Sequence, residues 1–94
     1  MTTRFSDKKT ALEKGIFFCR GKVDVPIEKL QRVKGYAISQ MDFADLKHKP
    51  AKAEIYQLTN SRGQKIMIGV TQDFEEGCWY LWLIDPESGM ALRV

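Results

Sequence analysis

Cys78-Trp79-Tyr80-Leu81-Trp82-Leu83-Ile84 is seven residues without a charge, carrying both tryptophans of the chain. The run is too short for a stable helix and is rich in the aromatic and branched side chains that suit a strand. Side chains of a strand alternate, so Trp79, Leu81 and Leu83 point to one face while Tyr80, Trp82 and Ile84 point to the other. Both faces are apolar. One of them belongs against the core of the domain, and the other needs a cover of its own.

Punctuation on both sides of this strand places it in an antiparallel meander. Glu54 to Thr59 reads as one strand, Asn60-Ser61-Arg62-Gly63 as a turn and Gln64 to Val70 as a second strand, with Ile66, Ile68 and Val70 on one face. An acidic connection, Gln72 to Gly77, leads into the aromatic strand. Asp85-Pro86-Glu87-Ser88-Gly89 then turns the chain into a last strand from Met90 to Val94. Short connections make sequence neighbours spatial neighbours, which predicts four strands in order over about residues 53–94.

The N-terminal half has helical spacing. Ser6 is placed to cap a helix starting at Asp7, with Ala11, Leu12, Gly15, Ile16 and Cys19 recurring on one stripe and Gly21 suited to the turn after its end. Gly15 opposes that reading, and a hairpin over residues 15–25 turning at Arg20-Gly21 is the alternative. Pro26 opens a second short helix carrying Ile27, Leu30 and Val33, with Gly35 beyond its end. Tyr36 to Leu46 fits either an extended segment or a few helical turns, and Lys47-His48-Lys49-Pro50 is a polar connector. The predicted fold class is therefore α+β: a four-stranded antiparallel meander packed on one face by one or two N-terminal helices, in one domain over residues 1–94.

Chemistry is thinly supplied. His48 is the only histidine, and it lies between lysines ahead of a proline. Cys19 and Cys78 are far apart, each in an apolar run, as buried reduced thiols are; two cysteines and one histidine without paired spacing provide no zinc site. The acidic residues crowd turns, and the glycines stand singly with no phosphate-cradling motif. The expectation is a non-enzyme without catalytic residues, metal or small-molecule cofactor. Arg4, Asp7, Lys8 and Lys9 interrupt any apolar core of a secretory signal, and no run spans a bilayer, so a cytoplasmic site without membrane contact is expected.

Two binding surfaces compete. If the second face of the aromatic strand is left open, Tyr80, Trp82 and Ile84 form an island of about 400–500 Å², whose covering is worth at most about 10 kcal/mol. Aromatic residues dominate interface energetics and two-fold pairing is the commonest way to cover such a patch, so the leading expectation is a regulator, adaptor or inhibitor that binds protein through these residues, as a homodimer or with another partner. The bland alternative is that Tyr36 to Leu46 folds over that face within the same chain. The second surface is basic: the net charge of +3 divides into +6 over residues 1–52 and −3 over residues 53–94. Lys29, Arg32, Lys34, Lys47 and Lys49, with Lys22 and Lys52, could line a phosphate-neutralising face, making nucleic acid the alternative partner. The aromatic residues, however, sit in the acidic half instead of among these cations.

Overall fold

The computed structural model describes residues 3–19, 21–34, 52–73 and 77–94. The segment Tyr36 to Leu46, His48 and the cations Lys47 and Lys49 lie outside the described residues. So does Gly35.

Helix α1 runs Lys8–Phe18. Its cap is Asp7, one residue later than the predicted Ser6: the Asp7 carboxylate accepts from the Thr10 backbone N–H at 2.7 Å, and Ser6 instead donates to Asp7 at 3.5 Å. That main-chain bond holds the Asp7 carboxyl below its ordinary range. The helix ends where the Cys19 N–H returns to the Ile16 carbonyl at 3.0 Å, and Gly21 follows at φ +90°. The hairpin alternative over residues 15–25 is thus excluded, because Gly15 is a packing position. A Cβ there would lie 3.0 Å from both Ile68 Cγ2 and Leu81 Cδ1, so the missing side chain is what lets the helix backbone settle on the sheet.

Pro26 precedes a single 3₁₀ turn, Ile27–Lys29, which replaces the predicted second helix. None of its residues is buried, and Leu30 already has an extended ψ of 127°. Without an apolar face to bury, one turn cannot propagate, and the chain enters β1 (Gln31–Val33) instead. Four further strands follow: β2 (Lys52–Thr59), β3 (Lys65–Gln72), β4 (Trp79–Ile84) and β5 (Ala91–Arg93). The sheet is an antiparallel meander in the order β1-β2-β3-β4-β5, so the fold is α+β with five strands among the described residues, one more than expected. The added strand pairs Arg32 with Tyr56 and Val33 with Ile55. At the opposite side Phe5 extends the ladder, exchanging backbone bonds with Trp79 at 2.9 and 2.8 Å.

Ala11, Leu12 and Gly15 press α1 against β3 and β4, where Ile68, Val70 and Leu81 are fully buried. Leu58, Ile66 and Phe5 complete this core. The predicted alternation along β4 is observed. Trp82 and Ile84 turn to the other face, where with Ile55 they make a second cluster bordered by Val33, Ala53, Met67 and Ala91.

The β2–β3 turn is built by Asn60, a buried polar residue whose four bonds are all internal. Its amide donates to the Lys22 carbonyl at 2.8 Å and to Gln64 at 2.9 Å, and its side-chain oxygen accepts from the backbone N–H groups of Arg62 and Gln64. Asp24 adds a second tie, accepting from the Ser61 backbone N–H and hydroxyl. Asn60→Ala removes all four bonds from a part-buried turn whose other members water can reach, and urea denaturation should show a loss of about 1–2 kcal/mol.

Candidate functional site

The expected aromatic patch is enclosed. Tyr80 is 4% exposed, Trp82 1% and Ile84 6%, all within one copy of the chain. On this second face Ile55 of β2 clusters with Trp82 and Ile84, and Val33 of the unforeseen β1, Ala53 of β2 and Met67 of β3 pack against them. The polar part of Trp82 is also satisfied internally, because its Nε1–H donates to the buried Thr71 Oγ1 at 3.0 Å. The Arg93 guanidinium stands 5.6 Å from the centre of the same ring. With the island enclosed, the ground for a two-fold pairing through Tyr80, Trp82 and Ile84 is removed.

Burial, with smaller contributions from Cys78, pushes the Tyr80 phenol up to about 12. A tyrosine of the unfolded chain ionises near 10, so between about pH 10 and 12 the unfolded state has lost a proton that the folded state keeps. Stability should therefore be unaffected by Tyr80 below that window and fall by about 1.4 kcal/mol per pH unit within it. Denaturation followed in steps through the window, with phenolate absorbance at 295 nm, measures this, and Tyr80→Phe should flatten the slope.

The basic surface is divided. Lys29 borders a hollow with Gln31, Gln57 and Thr59, on the Trp82 side of the sheet. Arg32 points to the helix side, where it lies 3.6 Å from the buried Glu54 carboxylate. Lys8 reaches the same carboxylate at 2.9 Å, and the Tyr56 hydroxyl donates to it at 2.9 Å. Arg32 is thus held as one of two cations balancing a buried charge, while Lys29 and Lys34 stay exposed. Of the predicted basic face, Lys29 and Arg32 thus lie on opposite sides of the sheet, and Lys47 and Lys49 are outside the described residues.

Apolar exposure lies elsewhere, at the end of the sheet reached by the last turn of α1. Phe17 is 51% exposed, Phe18 46%, Met90 74% and Leu92 71%. The helix geometry explains the phenylalanines. Positions 11, 15 and 18 lie on one stripe (i, i+4, i+7), so Phe18 continues the buried stripe of Ala11 and Gly15 past the sheet, and Phe17 falls off it. The two rings meet edge to face at 6.2 Å, and Lys14 Nζ stands 4.9 Å and 5.4 Å from their centres. Leu92 pairs with Leu83 in the register of β5 on β4, which puts both on the helix side. Between Phe18, Ile66, Leu83, Met90 and Leu92 runs an open groove of about 530 Å³.

Cys19 and the charged residues Lys22, Lys65 and Asp85 also line this groove. Burial pushes the Cys19 thiol up against the opposing pull of Lys22, which keeps it neutral and apolar in character. Asp85 accepts from the Glu87 backbone N–H at 3.1 Å and the Ser88 hydroxyl at 2.8 Å, and these bonds keep its carboxyl low. Both cysteines are free thiols. Among the described residues no three side chains of His, Cys, Asp or Glu converge as a metal site, and no helix is long and apolar enough to cross a membrane.

Against family models, curated proteins and solved structures, the chain has no match. Sequence reasoning missed Phe17, Phe18, Met90 and Leu92, although one signal was available: with Ala11, Leu12 and Gly15 as the buried stripe, two adjacent phenylalanines at the helix end exceed what one stripe can bury.

Proposed function

We propose that the protein is a non-enzymatic binding module, of the regulator, adaptor or inhibitor kind, that engages a protein partner through the Phe17, Phe18, Met90 and Leu92 end of the sheet. The observation that carries this reading is the exposure of those four side chains around an apolar groove. They present on the order of 500 Å² of apolar surface, the size of the largest patch on a typical monomer, which is often functional. Aromatic residues and Met are the types enriched at interfaces. The groove also adjoins an edge strand, β5, where partner segments commonly attach.

A photo-crosslinking amino acid placed in turn at positions 18, 92 and 29 tests the proposal in cells. Positions 18 and 92 are expected to give the same discrete protein adduct, and position 29 none. An adduct with nucleic acid from position 29 would instead support the basic half as the working surface. Absence of a discrete adduct from both 18 and 92 would remove the reading.

A further inference from the structure

The groove does not end at its apolar wall. A second hollow of about 550 Å³ adjoins it and shares Lys22, Lys65, Asp85 and Pro86 with it, so the two form one trough, apolar at the Phe18 and Leu92 end and polar toward Gln64 and Glu87. Two lysines stand at the junction. Lys8 and Arg32 are engaged with Glu54, whereas neither Lys22 nor Lys65 is in an ion pair with a described residue. Asp85 at the same junction accepts from Glu87 N–H and the Ser88 hydroxyl and feels the charge of Lys22 without forming an ion pair with it. Lys14, above the two phenylalanine rings, adds a third positive charge at the apolar end.

Resting on the docking reading above, we propose that the trough takes an extended segment of a partner protein in which a bulky apolar side chain is adjoined by an acidic residue. The apolar side chain enters between Phe18 and Leu92, and the carboxylate meets Lys22 and Lys65. A hydrogen-bonded charge at the edge of an apolar groove gives orientation and partner selection, while the apolar anchor supplies most of the affinity. A second copy of this chain is the poorer occupant. A standard interface takes about 800 Å² from each partner, more than this patch provides.

The test is selection of a random dodecapeptide phage library on the immobilised full chain, followed by anisotropy titrations of the leading synthetic peptide. The expected clones place Asp or Glu within two positions of Phe, Trp, Leu or Met. Lys22→Glu/Lys65→Glu should weaken the peptide about tenfold. The neutral variant Phe18→Gln/Leu92→Thr, whose positions are exposed, should lose binding with an unchanged thermal melt. Clones that require Phe18 and Leu92 but carry no acidic bias, and that bind the lysine variant as well as the wild type, overturn the acidic segment and leave the docking reading standing. A wild type that yields no clone but dimerises in a sedimentation dilution series, with dimerisation lost in Phe18→Gln/Leu92→Thr, has the same consequence and names a second copy as the occupant. A monomer that selects no clone, or clones indifferent to both variants, removes both proposals.

Discussion

Trp82→Ala is expected to unfold the protein instead of freeing it from a partner. The indole is 1% exposed, and its removal opens a large cavity between Ile55 and Ile84 while leaving the hydroxyl of the fully buried Thr71 without its donor. Truncating a buried aromatic residue costs about 3–5 kcal/mol, out of a total of about 5–15 kcal/mol for a domain. Each kcal/mol lowers the melting temperature of a chain this size by about 4–8 °C, so the variant should melt at least 12 °C lower or fail to fold at 37 °C. Urea denaturation read by circular dichroism measures the loss. A Trp82→Ala protein with the wild-type midpoint would show that the indole contributes nothing to the fold, and the aromatic face would again be available as an interface.

At Gly15 two substitutions are expected to diverge. Alanine gains about 1 kcal/mol of helix propensity over glycine, but its Cβ would lie 3.0 Å from Ile68 Cγ2 and Leu81 Cδ1, so Gly15→Ala should come out within about 1 kcal/mol of the wild type. Gly15→Val adds two more methyl groups against neighbours that are fully buried and have nowhere to move. Overpacking of this kind costs about 1–3 kcal/mol, and valine also forfeits most of the helix gain, so a loss near the top of that range is expected. Equal stability of the alanine and valine variants would mean that α1 does not sit on the sheet at this point.

Local patterning made much of the sheet legible. Alternation in β3 and β4, with turn residues at Asn60 to Gly63 and Asp85 to Gly89, marked the four consecutive strands β2 to β5 and the faces of β3 and β4. The stripe of Ala11, Leu12 and Gly15 marked α1 to within one residue at its start. Gln31–Val33 failed because three residues carry too little period to separate a strand from the end of a helix, and only pairing with Tyr56 and Ile55 decides it. Charge was misleading for the same reason. Arg32 belongs to a basic cluster in the sequence, and in space it is bound to Glu54, a partner supplied by a strand some twenty residues away.

An antiparallel meander with a helix on one side is written into the amino-acid order, because side-chain periodicity and turn chemistry act over a few neighbouring residues. That order also determined that β4 would be apolar on both faces. Which apolar side chains remain in contact with water was decided only in three dimensions. Exposure depends on what lies across the sheet and where each element stops: β1, β2 and β3 bring Val33, Ala53, Ile55 and Met67 around Trp82, while α1 carries Phe18 past the end of the strands that could have buried it.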